Sequence, residues 1–279
     1  MSKDPAIIFV HLPKCGGTTL NRIMEWEYPP WRVFSVDPSF FRWSYRRLLR
    51  WPARRLVRMK AFKGHMPFGL HKLLPQPSTY ITVLRDPVDR AVSEYYYALS
   101  RFVHPQHRMM KKLTLDEYIR TTTYANVQTK LIAGLYTGYD FLSGDCTSET
   151  LETAKHNLSQ HFSLVGLTER FDESLALAKL LFGWQLRHYA DFNVTSSRPK
   201  TDEVPLGVRE LVAERYQFDM QLYEYAVGLF NGLVGSHAEG VRKELEKVRE
   251  ARALSGIEST YYRAASAARK AISRIYSAI

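Results

Sequence analysis

Cysteine is nearly absent from this chain of 279 residues, with Cys15 and Cys146 the only two. That excludes a disulfide framework as the basis of the fold, and no metal-ligand spacing is present. Long apolar runs are lacking as well. The stretch from Ala6 to Val10 is too short for a signal-peptide core or a membrane span, and a glycine loop follows it at once, so the cytoplasm is the expected location. No internal repeat and no low-complexity segment is present. Acidic residues are missing from one long window. Between Pro38 and Arg85 there is no Asp or Glu, while Arg42, Arg46, Arg47, Arg50, Arg54, Arg55, Arg58, Lys60, Lys63, Lys72 and Arg85 all fall inside it. The formal charge is +11. Such a field attracts anions: a nucleotide, an acidic glycan, an anionic membrane or nucleic acid.

What is present is an ordinary globular composition, 45% hydrophobic and 24% charged, enough to bury a full core. Ile7 to Val10 reads as a buried strand, and Thr18 to Trp26 as a helix with Leu20, Ile23 and Met24 on one side. Tyr80 to Leu84 is a second strand, and Pro87 suits the first turn of a helix running to Leu99. Leu164 to Leu167 is a third strand, followed by a helix carrying Leu175, Leu177, Ala178 and Leu181. Alternating strands and helices predict an α/β fold, a P-loop-like three-layer domain with a central parallel sheet flanked by helices, plus a C-terminal helical tail. The expected division is a domain at 1–235 and a helical extension at 236–279, with a helix over 208–234 and a mobile loop over 193–207. Parallel sheets bind ligands at the carboxyl ends of their strands, and two of the three strands end in residues suited to anions.

The first of these ends is His11-Leu12-Pro13-Lys14-Cys15-Gly16-Gly17-Thr18-Thr19. Glycines let backbone approach an anion while N–H groups and the helix dipole point at it. Lys14 adds a mobile charge, and Thr18 and Thr19 add hydroxyl donors. This is not the G-x-x-x-x-G-K-[ST] loop of nucleoside-triphosphate enzymes, because its lysine precedes the glycines and the metal-holding Ser or Thr after the lysine is missing. The bland alternative is a Gly-Gly turn joining strand to helix. The second end is Leu84-Arg85-Asp86-Pro87-Val88-Asp89-Arg90-Ala91-Val92-Ser93. An Arg fork and a hydroxyl two turns along a helix make a phosphate clamp. Alternatively, Arg85 pairs with Asp86 or Asp89 and Ser93 is a plain helix-face residue.

Together the two motifs resemble the sulfotransferases that use 3′-phosphoadenosine 5′-phosphosulfate (PAPS). Gly64-His65, Asn126-Val127-Gln128-Thr129, Val165-Gly166-Leu167-Thr168-Glu169 and Phe218-Asp219-Met220-Gln221-Leu222-Tyr223 follow in the order of that family, over roughly residues 6–230. The branch it resembles is that of the carbohydrate sulfotransferases, including the uronyl 2-O-sulfotransferases. The resemblance implies that Lys14, Cys15, Gly16, Gly17, Thr18 and Thr19 hold the 5′-phosphosulfate and that Arg85 and Ser93 hold the 3′-phosphate. It implies a basic loop, with Arg198 and Lys200, closing over the nucleotide. It also implies PAPS as co-substrate, no required metal, and a saccharide or glycolipid acceptor. Golgi relatives carry a membrane anchor and disulfides; lacking both, this chain looks like a bacterial-type cytoplasmic member.

Sulfuryl transfer to a hydroxyl needs a group to remove the proton, and a neutral imidazole serves near pH 7. His65 stands where the family has a His after Gly, and the resemblance makes it the base. Some relatives have a second His two positions earlier; here it is Lys63, placed to orient the acceptor or neutralise an acidic sugar. His11 bonds either backbone or acceptor. Asn126, Gln128 and Thr129 are expected near cofactor or acceptor, and Thr168 and Glu169 near the base or ribose. Cys15 is a small packing residue.

Residues 39–59 interleave Arg with Phe40, Phe41, Trp43, Tyr45 and Trp51, with Pro52 as a break. Three readings stay open: an acceptor wall for acidic glycans, an amphipathic helix on an anionic membrane surface with the protein peripheral there, or core aromatics under a solvated basic face. In the tail, Ala265, Ala268, Ile272, Ile275 and Ile279 share a helical face that docks on the domain, pairs with another subunit or touches lipid. Two rival functions remain. One is a P-loop kinase using ATP-Mg, with Asp86 as ligand; the other is a non-catalytic basic anion- or nucleic-acid-binding protein. The glycine loop at a strand end disfavours nucleic acid.

Overall fold

In the computed structural model, the described residues are 5–36, 41–102, 107–134, 144–187, 189–190, 199, 203–252 and 256–278. Five strands, β1 (Ala6–Val10), β2 (Val33–Val36), β3 (Ala61–Gly64), β4 (Ser78–Leu84) and β5 (Phe162–Leu167), form one sheet. Its order is β2-β3-β1-β4-β5, and every pairing is parallel. Helix α1 (Gly17–Glu27) follows β1. Helices α2 (Phe41–Arg50) and α3 (Ala53–Leu56) separate β2 from β3. Between β4 and β5 lie α4 (Pro87–Ser100), α5 (His107–Met110), α6 (Leu115–Thr121), α7 (Val127–Ala133) and α8 (Ser148–His161). Helices α9 (Phe171–Phe182), α10 (Leu206–Arg215), α11 (Gln217–Ser236), α12 (Ala238–Arg252) and α13 (Gly256–Ala278) complete the chain. The expected α/β fold with a helix-flanked parallel sheet is therefore present.

The central strand explains itself. All five residues of β1 are buried, as a strand covered on both faces requires, and Ile7, Ile8 and Val10 are β-branched. Strands β2 and β3 go beyond the three that sequence pattern marked. They are short, and Ser35 and Lys63 interrupt their apolar runs. The helical stretch foreseen over 208–234 is broken at Tyr216, whose backbone (φ −110°, ψ 29°) ends α10 and opens α11.

One large core surrounds the sheet, and a second lies behind α4, where Val88, Val92 and Tyr95 meet Tyr118, Val212 and Tyr216. Helix α4 stands between them, and its start is fixed locally. Pro87 occupies its first turn, and Asp86 Oδ1 accepts from the N–H groups of Val88 (2.9 Å) and Asp89 (3.0 Å). That capping commits Asp86 to the helix.

Within 39–59, Trp51 packs edge-on against Phe34 and carries Arg55 over its ring (3.5 Å), so it is core and not a sugar platform. Arg46, Arg50 and Arg54 are exposed. The tail docks, but through a different face from the apolar one expected. Tyr262, Ser266 and Ser273 are buried, whereas Ala268, Ile272 and Ile275 are exposed. The buried serines bond to α1 and to the edge of β2, which α13 covers. Among the described residues no helix is long and apolar enough to cross a membrane.

Candidate active site

Strands β1 and β3 end level with each other, Val10 beside Gly64, and β4 runs two residues past them, from Thr82 opposite Val10 to Leu84. The glycine loop, His65 and Arg85 leave these three ends, so the sheet brings the sequence motifs together.

The loop is built on two left-handed residues, Lys14 (φ 65°) and Gly16 (φ 71°). At Gly16 glycine is the residue that adopts this turn without strain. Helix α1 then starts with no side-chain cap, leaving its first N–H groups and positive dipole end to the loop. Gly17 has a different reason for being glycine. A Cβ there would lie 1.9 Å from His11 Cδ2 and 2.3 Å from His11 Nε2, so the imidazole of His11 packs onto bare backbone. Thr19 is buried and Thr18 half-buried, so the two threonines are not equivalent.

His11 is itself locked. Its ring stacks on Phe9 (5.5 Å) and on His65 (4.0 Å), and Asn21 Nδ2 donates to its Nδ1 (2.9 Å). Burial, reinforced by the neighbouring His65, Lys63 and Lys14, holds His11 well below the ordinary imidazole range. His65 is half-buried, and its Nδ1–H donates to the His11 carbonyl (2.8 Å). A proton fixed on Nδ1 leaves the Nε2 lone pair as the basic atom.

Arg85 lies in a frame of its own. Gln128 clasps its backbone: the Arg85 N–H donates to Oε1 (3.0 Å), and Nε2 donates to the Arg85 carbonyl (2.9 Å). The guanidinium donates to the Lys14 carbonyl (3.0 Å) and to Asp89 Oδ2 (2.8 Å), so it ties the glycine loop to α4. Its Nε is buried with no hydrogen-bond partner among the described residues. The pairing with Asp89 is the alternative left open above, and here it coexists with the bridge to the loop. Ser93 is buried one turn beyond Asp89, so Arg85, Asp89, Ser93 and Tyr97 form a stripe at four-residue spacing. Lys14 Nζ sits over the Tyr97 ring (3.4 Å), along that stripe. Burial lowers Lys14 to about 8, against the opposing pull of the Glu94 carboxylate.

Behind these groups is a support that the motifs did not reveal. Asp219 Oδ1 accepts from the Thr129 N–H and hydroxyl (both 2.8 Å), while Asn126 Oδ1 accepts from the N–H groups of Phe218 (3.1 Å) and Asp219 (3.0 Å). Helices α7 and α11 thus cap each other. Asn126, Gln128 and Thr129 serve as scaffold at this point, and Arg90 completes it. Fully buried, Arg90 donates to the Tyr124 carbonyl (2.8 Å) and lies between Glu94 (3.9 Å) and Asp219 (4.0 Å). Thr168 and Glu169 are likewise tied to strand ends. Thr168 donates to the Leu84 carbonyl, while Glu169 accepts from the Asp86 N–H (3.0 Å) and Tyr223 hydroxyl (2.8 Å). Burial pushes the Cys15 thiol up to about 12, and it donates weakly to Pro13 and Gln128; it is a packing group. Lys63 is paired with Glu25 (2.8 Å) and buried, which removes it from the acceptor role expected above. Arg198 and Lys200 lie outside the described residues. Among the described residues, no group of three or more His, Cys, Asp or Glu could hold a metal ion.

Residues 30–261 match the galactose-3-O-sulfotransferase family, a span that begins after the glycine loop. Among curated proteins, a human galactose-3-O-sulfotransferase 3 is 26% identical over 208 residues, covering 68% of this chain and 47% of that protein. A heparan sulfate 2-O-sulfotransferase of Caenorhabditis elegans is 24% identical over 270 residues, covering 87% and 83%. A heparan sulfate 2-O-sulfotransferase 1 of Gallus gallus is 30% identical over 179 residues, covering 57% and 49%. The chain spans about half the length of the galactose-3-O-sulfotransferases it matches. With the sheet, the anion loop and the paired histidines in place, this match over most of its length means that the chain belongs to the galactose-3-O-sulfotransferase family of carbohydrate sulfotransferases.

Proposed function

We propose that the protein transfers the sulfuryl group of PAPS to a hydroxyl of a saccharide, free or carried on a lipid, and releases adenosine 3′,5′-bisphosphate. The observation that carries this reading is the hydrogen bond from His65 Nδ1 to the His11 carbonyl, which fixes the tautomer of a base held beside the glycine loop by the neighbouring strand. The relatives that act on galactose and heparan sulfate, by their names, support a saccharide acceptor.

The bound donor would supply an activated sulfuryl group and a bisphosphate leaving group. His65 Nε2 takes the proton of the acceptor hydroxyl as the new S–O bond forms. Lys14, swung from Tyr97, and the N–H groups at the start of α1 stabilise negative charge gathering on the leaving oxygen. In this reading the left-handed turn at Lys14 and Gly16 would seat one tetrahedral anion, and Arg85, whose Nε has no partner among the described residues, would with Ser93, two turns along α4, seat a second, the 3′-phosphate. That second anion is what would distinguish PAPS from ATP. The kinase alternative is weakened because Asp86, its expected metal ligand, caps α4 instead.

Incubation with PAPS and a panel of oligosaccharides, followed by chromatography for adenosine 3′,5′-bisphosphate, tests the reading. Release that depends on a saccharide supports it; phosphoryl transfer from ATP-Mg instead would refute it. The same assay carries a pH prediction. Lys14 must be protonated to act, and its pKa is lowered to about 8, so kcat/KM, which reports the free enzyme, should fall as pH rises through that value. Lys14→Arg should keep a reduced rate with no such descending limb, since guanidinium stays charged.

A further inference from the structure

Most of helix α13 lies beyond the family match, which ends at residue 261. One side of the helix is anchored. Tyr262, Ser266 and Ser273 are buried. Ser266 accepts from Trp26 Nε1 (2.8 Å) on α1, Arg269 donates to the Glu25 carbonyl (2.7 Å), and Ser273 donates to the Val33 carbonyl (3.2 Å) at the start of β2. The opposite side is apolar and open. Ala264, Ala268, Ala271, Ile272 and Ile275 are all exposed, and their spacing puts them in one stripe turned away from the two buried serines. Ile272 is 41% exposed and Ile275 57%, so neither belongs to a core.

The flank of this stripe is basic. Arg263 and Arg274 are exposed, Lys270 is half-buried, and after Glu258 the chain has no Asp or Glu. The two arginines also interact within the fold, so what they bring to a surface is net charge and not free donors. The same balance continues onto neighbouring segments. Helix α13 packs against the turn Pro30–Arg32, where Trp31 and Arg32 are exposed. The Arg32 carbonyl accepts from the Lys60 N–H (2.9 Å), which brings in the end of α3, with Val57 and Arg58 exposed. Between Glu27 and Asp86 the sequence holds a single acid, Asp37.

Apolar side chains gain nothing from a phosphate backbone, so a nucleic acid would leave the stripe unused. A second copy of this chain would cover the stripe, but it would add cations to a flank with no acid to receive them. A bilayer with anionic headgroups meets both features, because its acyl region takes the apolar side chains and its headgroups take the cations. We propose that the outward face of α13, with Trp31 and Arg32 beside it, docks the protein on an anionic membrane surface. Three of the five stripe residues are alanine, so apolar burial alone holds weakly and binding depends on headgroup charge as well. The docked surface lies at the edge strand β2, whereas the glycine loop and Arg85 leave β1 and β4 further into the sheet.

Co-sedimentation of the full chain with phosphatidylcholine vesicles, with or without phosphatidylserine, tests this. Wild type should bind the mixed vesicles, bind the neutral ones far less, and be released as salt rises. Ile272→Gln with Ile275→Gln should weaken binding about tenfold, the worth of leaving roughly two methylene groups in water. Ile272→Leu with Ile275→Leu should bind as wild type. Both positions are exposed, so neither pair of substitutions should move the melting temperature. Failure of wild type to bind the mixed vesicles, equal binding to both kinds, or undiminished binding by the glutamine variant would overturn the proposal. So would sedimentation equilibrium that finds a dimer which the glutamine substitutions dissociate, since the stripe would then belong to a second copy.

Discussion

Replacing His65 with alanine should lower kcat about 10³-fold, within the range that a positioned general base contributes, and leave affinity for adenosine 3′,5′-bisphosphate nearly unchanged. The separation follows from the geometry. His65 leaves β3 and meets the glycine loop at His11, through its carbonyl and its ring, whereas Arg85 and Lys14 follow the ends of β4 and β1. Single-turnover kinetics alongside nucleotide titration would check it. A variant with wild-type turnover would remove His65 from the chemistry, and a variant that loses nucleotide affinity to the same degree would make its role structural. Because the imidazole acts through Nε2 while Nδ1 is tied to a carbonyl, His65→Gln should not restore the rate.

Gly17→Ala should damage both stability and activity without adding or removing a charge. The new methyl would overlap the His11 ring, whose own freedom is limited by Phe9, Asn21 and His65. Overpacking of this kind costs about 1–3 kcal/mol, which thermal melting would read. The displaced His11 would carry the carbonyl that orients His65, and a misplacement near 1 Å is expected to slow the reaction about 10²-fold. Gly17→Ala combined with His11→Ala should recover much of the stability, because the clash is gone. If Gly17→Ala alone melts and turns over like wild type, the close packing of loop on imidazole is not what sets the base.

The sheet's centre and anion-binding ends were legible because their signals are local. β1 and β4 are apolar runs ending in loops rich in Gly or Arg, and Asp86-Pro87 announces the helix after β4. Strand β3 carries no clear apolar pattern because Lys63 interrupts it, and the burial of Lys63 depends on Glu25, 38 residues away on another element. The sequence of the tail points to the wrong face for a related reason. Hydrophobic periodicity favours the Ile272 face, yet serines that bond to an edge-strand carbonyl and an indole N–H fix the docked side. Asn126, Gln128 and Thr129 stand out in the sequence as polar residues that the resemblance puts near cofactor or acceptor. Their partners, Asp219 and the Arg85 backbone, are far along the chain, so sequence could mark them but not distinguish a cap from a ligand contact. His65 was located by its place after Gly64; its tautomer required the contact with His11.

The central claim is a site for a nucleotide carrying two separate phosphate-type anions, and calorimetric titration with adenosine 3′,5′-bisphosphate, AMP and ATP-Mg on wild type and Arg85→Ala tests it most directly. The account predicts tight binding of the bisphosphate, markedly weaker binding of AMP, and a loss of about 10- to 100-fold for the bisphosphate in Arg85→Ala, the worth of a charged hydrogen bond. Equal affinity for AMP, an unchanged Arg85→Ala, or a preference for ATP-Mg would contradict it.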